Sequence, residues 1–394
     1  MTRWNKKWAA FSALWLVAAV LTGCWDIKAI QDVNYFTGIG IDYVDRKYVV
    51  YVQQLDFSSV AKQQGIQKNQ SPAKVWIGQA SGRSLSEAVM ELYQTAQQTI
   101  FWGHLNTVVV TERFLKSKKI NEVFDALTRS PEIRMTPWIF GTKENIPEVF
   151  STLAFFYLSP VNTILNAPES SFRQKSAIAP IRMFRFIREL RDPGCTVKIP
   201  SIGISKDTWK VNKKTDPKLE MNGYFLLRHE TYKQWYPLEQ IDGFKWMNPD
   251  TRLSRLLLQR EGSPLATLRV MRPKSKIRIS GGEGEPKVTF QLNLRAEMLE
   301  LWQPASEQEI ENAAKLKVRD EIMEAFRNSM NNGADLFGIE HELYRKHYGR
   351  WKQLTRDGQT AFVPERMPEI EVNVRLSDTG MYKLDRKLDN HESR

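Results

Sequence analysis

Residues 287–330, KVTFQLNLRAEMLELWQPASEQEIENAAKLKVRDEIMEAFRNSM, change their hydrophobic period midway. Val288, Phe290, Leu292, Leu294 and Ala296 occupy every second position, the pattern of a strand with one buried face. Past Trp302 the spacing lengthens. Ser306 and Glu309 form a capping box, and Ile310, Ala314, Val318, Ile322, Phe326 and Met330 follow four residues apart. A strand thus hands over to the longest helix of the chain, 306–332, whose apolar stripe must pack across a sheet. Downstream, Ile370, Val372, Val374 and Leu376 alternate with Glu371, Asn373 and Arg375, so a final strand returns to pair with the earlier ones. The expected class is α+β, with mixed or antiparallel sheets packed with helices and no regular βαβ repeat.

Upstream, residues 223–227, 266–271 and 276–279 carry short apolar runs, and Gly281 to Gly284 supply a positive-φ turn for a hairpin. Arg191-Asp192-Pro193-Gly194, followed by polar residues through Pro217, is the best boundary signal. Before it, 48–55 and 107–111 read as β-branched strands. Ser84 and Glu87 cap a helix carrying Leu85, Ala88, Val89, Leu92 and Ala96. Further helices are expected over Ile120 to Leu127, with Val123 and Phe124 inward, and after Pro180 through Phe184, Ile187 and Leu190. Residues 58–73 are polar and unperiodic, as in a loop. The expected organisation is a signal peptide (1–23), an N-terminal α+β domain (24–204), a middle strand-rich region (205–272) and a C-terminal α+β domain (273–394).

The N-terminus decides the compartment. Arg3, Lys6 and Lys7 precede an uncharged run from Trp8 to Leu21 that ends in Leu21-Thr22-Gly23-Cys24. The run is shorter than the ~20 residues of a spanning helix and fits the apolar region of a signal peptide. Leu-Thr-Gly-Cys resembles the bacterial lipobox, which makes Cys24 the expected site of lipidation. An ordinary secretory signal with an incidental cysteine, or an uncleaved anchor, are the other readings. Cys195 is the second of two cysteines and has no intramolecular partner once Cys24 carries lipid. Removing Arg3, Lys6 and Lys7 from the 57 basic residues leaves 54 against 45 acidic, a surplus of +9. Anionic lipid headgroups account for that surplus more simply than nucleic acid, since the aromatic residues are scattered rather than interleaved with a basic stripe.

The local motifs of catalysis are incomplete. Gly38-Ile39-Gly40 lacks the third glycine of a dinucleotide loop, with Tyr43 in its place. His341-Glu342 is followed by Arg345 where a zinc helix needs histidine, and Gly203-Ile204-Ser205 runs into Lys206 and Asp207 rather than a nucleophile elbow. No catalytic, cofactor-binding or metal-binding residue is expected. Arg182, Arg185, Arg188 and Arg191 form a basic strip, either a solvated face or a contact for headgroups or a partner. Phe101-Trp102-Gly103-His104 is either a ligand-binding turn or a strand entry with core aromatics.

Taken together, Gly23-Cys24-Trp25-Asp26, Gly38-Ile39-Gly40-Ile41-Asp42 and the block IFWGHLNTVVVTERFLKSKKINEVFDALTRSPEIR from Ile100 to Arg134 resemble the Ger(x)C family, the C subunits of spore germinant receptors. Gly223-Tyr224 with Leu238, Gly243 to Trp246, Asp335-Leu336-Phe337-Gly338 and Val372-Asn373-Val374 extend the resemblance over nearly the whole mature chain. Lys28-Ala29-Ile30 departs from it, where a basic residue, Glu and Ile are expected. The resemblance implies a non-catalytic lipoprotein on the outer face of the spore inner membrane. Its partners would be two integral-membrane subunits, one similar to amino-acid transporters and expected to bind the nutrient, the other thought to form an ion-releasing channel. It implies no catalytic residue. A solute-binding lipoprotein of a transporter is the alternative, though such proteins repeat βαβ units around a cleft; a lipid-anchored hydrolase would need a nucleophile and a base.

Overall fold

The computed structural model describes residues 33–55, 74–281, 286–330, 333–362, 364 and 366–378, together with Trp8 and Phe11. Cys24, the rest of the expected signal peptide, the expected loop 58–73 and Gly282 to Gly284 lie outside the described residues.

In chain order the strands are β1 (Val33–Val44), β2 (Lys47–Leu55), β3 (Val75–Gly82), β4 (Thr99–Phe101), β5 (Thr107–Thr111), β6 (Trp138–Thr142), β7 (Ile181–Arg182), β8 (Thr196–Ser205), β9 (Lys210–Val211), β10 (Lys214–Thr215), β11 (Lys218–Arg228), β12 (Thr231–Pro237), β13 (Leu253–Arg260), β14 (Ser263–Ser280), β15 (Lys287–Leu301) and β16 (Glu369–Asp378). The helices are α1 (Leu85–Tyr93), α2 (Glu112–Lys116), α3 (Ile120–Arg129), α4 (Ile146–Ser151), α5 (Pro168–Gln174), α6 (Met183–Arg191), α7 (Leu238–Ile241), α8 (Glu307–Met330), α9 (Ile339–Lys346) and α10 (Tyr348–Leu354). None of the described helices is long and apolar enough to cross a membrane.

Among the described residues the strands make a ten-stranded sheet, order β12-β11-β8-β6-β5-β1-β2-β3 with β4 beside β1 and β7 beside β6, a four-stranded sheet β13-β14-β15-β16, and the small hairpin β9-β10. The large sheet is mixed: β1, β5, β6 and β8 pair in parallel, while β2, β3, β11 and β12 join antiparallel. Its centre is covered on both sides, which explains the unbroken TVVVT of β5. Val108 and Val110 pack with Phe124 and Phe186 on one face, and Val109 with Phe140 and Phe150 on the other. Gly38 and Gly40 lie inside β1 and not in a nucleotide loop; a Cβ on Gly40 would meet the Ile146 side chain at 2.5 Å, so glycine lets α4 approach the strand.

The second sheet keeps the expected alternation. Val288, Phe290, Leu292, Leu294 and Ala296 are buried beneath α8, whose Ile310, Ala314, Val318, Ile322, Phe326 and Met330 are buried in turn. The Glu309 amide donates to Ser306 Oγ at 3.2 Å, completing the cap. β16 returns parallel to β15. The α+β class therefore holds, with helices on both faces of the first sheet and α8 on one face of the second.

Two local expectations shift. α1 is capped as read, with Glu87 N donating to Ser84 Oγ and Arg83 N to Glu87 Oε2. It ends at Tyr93 because the Thr95 amide turns back to Leu92 O, leaving Ala96 outside. Pro180 opens the two-residue strand β7, which pairs with β6, so α6 starts only at Met183. That start puts Met183, Phe186, Ile187 and Leu190 inward and leaves Phe184 exposed.

The segment 205–272, read as a middle region, is shared between the sheets. β11 and β12 extend the first; β13 and β14 begin the second. β11 serves both cores through its period of two: Phe225 and Leu227 face the first, Tyr224 and Leu226 the second.

Candidate functional site

The block from Ile100 to Arg134 crosses the centre of the first half. Trp102 is buried, its indole N–H donates to Tyr93 Oη at 2.7 Å, and its ring meets Phe36 edge-on at 5.0 Å. Tyr35 stands edge-on to both Phe101 and His104. Phe101 to His104 is thus a strand exit closed by aromatic packing, with Trp102 as its core residue. Beside it, Leu85, Val89, Met90, Tyr93, Leu127 and Ile133 line a shallow groove of about 200 Å³ between α1 and α3. Asp42, at the end of the Gly-Ile-Gly-Ile-Asp strand, is 2% exposed; it accepts from Thr111 Oγ1 at 2.5 Å and from the Tyr43 amide at 2.8 Å, and pairs with Arg113. Thr111 is also the N-cap of α2, donating nothing to the helix but accepting from Phe114 N at 3.1 Å. Asp42 therefore fastens β1 to the turn that launches α2.

A second feature is the cleft of about 820 Å³ between the halves, walled by Trp138, Arg173 and Arg182 on one side and Asp250, Arg252 and Lys274 on the other. The four arginines of the expected strip part company here. Arg182 sits on β7 with its guanidinium 3.5 Å from the Trp138 ring centre. Arg185 reaches Glu189 at 2.8 Å and, across the cleft, Asp250 at 2.5 Å. Arg188 pairs with Glu189 and Arg191 is exposed. The strip is a junction on one side and solvated on the other.

The third feature was not legible in the sequence. Arg228, the last residue of β11, is buried against Glu340 of α9. Its apolar lead-in GYFLL marks the strand but gives no sign that the charge ending it is buried. Asp335, also buried, accepts from the amides of Gly338 and Glu340, and burial raises its carboxyl above the usual range. Asp335-Leu336-Phe337-Gly338 is therefore the turn that sets α9, and with it Glu340, in place.

Among the described residues, no three His, Cys, Asp or Glu side chains stand where they could share a metal. His341 lies 3.3 Å from Asp192, and Ser205 shares a hydrogen bond with Thr208 on the surface. Among the described residues Cys195 has no disulfide partner, and desolvation pushes its thiol up to about 12. Cys24 lies outside the described residues, so its lipidation stays an expectation from the sequence.

Residues 26–204 match the family model of the spore germination protein N-terminal domain, and residues 222–380 that of the spore germination B3/GerAC-like C-terminal domain. The chain is similar to spore germination protein KC of Bacillus subtilis (strain 168), 22% identical over 390 residues that cover 93% of this chain and 94% of that protein. Spore germination protein A3 of the same organism is 19% identical over 388 residues, 93% of this chain and 96% of that one. The crystal structure of the GerBC protein superimposes with a TM-score of 0.52 at 12% identity, covering 86% of this chain and 97% of that one, a likeness of fold.

Proposed function

Since the chain belongs to the Ger(x)C family of spore germination proteins, we propose that it is the non-catalytic, lipid-anchored subunit of a nutrient germinant receptor in the spore inner membrane. It would act in assembly or signalling beside two integral-membrane subunits.

The observation that carries this reading is the match of both family models, in order, on two halves that β11 and the Arg228–Glu340 pair join. The anchor would be diacylglyceryl on Cys24, because one acyl chain alone gives marginal membrane binding and two give stable binding. The curated relatives are named as germination proteins, in keeping with a multi-subunit receptor.

Two experiments test it. Co-purification of the detergent-solubilised protein from dormant-spore membranes should bring two multispanning proteins with it; an ABC permease would favour the solute-binding alternative, and no partner would remove the receptor reading. Cys24→Ala should release the protein or block its maturation and impair nutrient germination. A variant that is still processed, membrane-bound and fully active would sink the anchor.

A further inference from the structure

The second sheet buries one face under α8 and leaves the other open. On that open face Arg255, Lys274, Lys276, Arg278, Arg295 and Arg375 are all exposed, and none has an ion-pair partner among the described residues. Register places them together: Arg255 lies opposite Arg269, Arg295 opposite Arg375, and Lys274 and Lys276 opposite Asn293 and Gln291. Successive positions on one strand face are ~7 Å apart, so Lys276, Arg278, Arg295 and Arg375 form a flat lattice, which Arg255 and Lys274 extend to the rims of the neighbouring clefts.

The fold does not need these charges. Like charges directly opposite one another destabilise a sheet, yet two arginine pairs stand so here. Of the nearby carboxylates, Glu297 pairs with Arg269 at 3.3 Å and Glu369 with Lys287 at 2.9 Å, while Glu371 accepts from the uncharged Gln291 amide at 2.6 Å and sets a single negative charge against the six cations. Glu300, opposite Thr267, is left at the far end. A lattice of uncompensated cations implies an anionic counter-surface.

We propose that this open face of the second sheet lies against the anionic lipid headgroups of the membrane. The choice of lipid over another polyanion rests on the anchored reading above and on the character of the face. Protein interfaces are centred on aromatic and apolar anchors and depleted in lysine, and single-stranded nucleic acid is held by aromatic stacking. The strand positions that make this face hold no aromatic residue: its exposed large apolar groups are Leu257 and Met271, with Leu253 half-buried at its edge. A charged bilayer asks only for density of positive charge within a Debye length.

The test is vesicle flotation of the mature chain, residues 24–394, carrying Cys24→Ser, so that neither attached lipid nor the apolar signal segment takes part. Phosphatidylcholine vesicles are compared with phosphatidylcholine mixed with phosphatidylglycerol. The anionic vesicles should be preferred, less so as salt rises, and Lys276→Glu, Arg278→Glu and Arg295→Glu together should cut that preference by about 100-fold. Reversing Lys210, Lys213 and Lys214 on the β9-β10 hairpin changes net charge equally and should leave most of it intact. The thermal midpoint should hold, since Arg295→Glu relieves its repulsion with Arg375. Equal loss in both triple variants, or no preference for anionic vesicles, overturns the proposal. So does loss of receptor partners by the sheet variant with vesicle binding unchanged, which would assign the face to an acidic protein. None of these outcomes depends on whether Cys24 is lipidated in the cell.

Discussion

Arg228 and Glu340, 112 residues apart in sequence, meet in a two-point ion pair, Nη2 to Oε1 at 2.6 Å and Nε to Oε2 at 2.9 Å, with both side chains buried. Glu340 also accepts from Trp351 Nε1 and the Phe362 amide, and Arg228 donates to the Thr360 carbonyl. The pair fastens the end of the first sheet to the helices that close the second.

Breaking one side of such a pair strands a charge in a low-dielectric interior, which costs about 3–5 kcal/mol. Arg228→Met should lower unfolding stability by that amount in urea titration. Adding Glu340→Leu should recover part of it, because apolar replacement of both partners removes the stranded charge, while the Trp351 indole and the Phe362 amide are left without their acceptor. A single variant within 1 kcal/mol of wild type, in the spirit of an exposed pair, would show that the junction is not closed as described.

Glycines of the family-like segments divide by what stands beside them. A Cβ on Gly243 would lie 2.0 Å from the Glu321 carbonyl oxygen, main chain of α8 that cannot move alone. Gly243→Ala should cost roughly 3 kcal/mol, the upper range of overpacking. At Gly103 the obstacle is the half-exposed ring of Phe101, 2.4 Å away and free to rotate, so Gly103→Ala should cost about 1 kcal/mol or less. Thermal melts of both variants decide; reversed order would refute the packing assigned to α8.

Cys195 should be a silent thiol. Burial favours the neutral form, so raising its pKa from 9.0 to about 12 lowers the thiolate population near pH 8 by about 1,000-fold. Cys195 is partly exposed, so native protein should react with an aromatic disulfide reagent directly but much more slowly than it does in denaturant. With Cys24→Ala, so that Cys195 is the one thiol present, native labelling as fast as in denaturant would contradict the raised pKa of its thiol.

Asp42 and Arg113 are unequal partners. The carboxylate is buried and holds three donors, while the guanidinium is largely exposed. Asp42→Ala leaves Thr111 and the Tyr43 amide short of their acceptor and should cost about 1–3 kcal/mol. Arg113→Ala should cost less than about 1 kcal/mol, as for a solvated pair. Paired urea titrations check the order, and equal costs would argue that the salt bridge rather than the buried hydrogen bonds holds this turn.

Period and capping carried the sequence a long way. Alternation at Val288 to Ala296, four-residue spacing at Ile310 to Met330 and the two capping boxes determined strands and helices that the structure keeps, because these signals depend on neighbours within a turn or a ladder. The Ger(x)C resemblance was legible for the same reason, in short ordered blocks. Only the tertiary structure decided that β11 and β12 complete the first sheet beyond a polar stretch, that Phe186 and not Phe184 enters the core, that Arg228 finds Glu340, and that six cations from four strands share one open face. Each of these depends on which distant segments pair and in what register. A one-residue shift in a strand exchanges its faces, and no local pattern records the partner across 100 residues of chain.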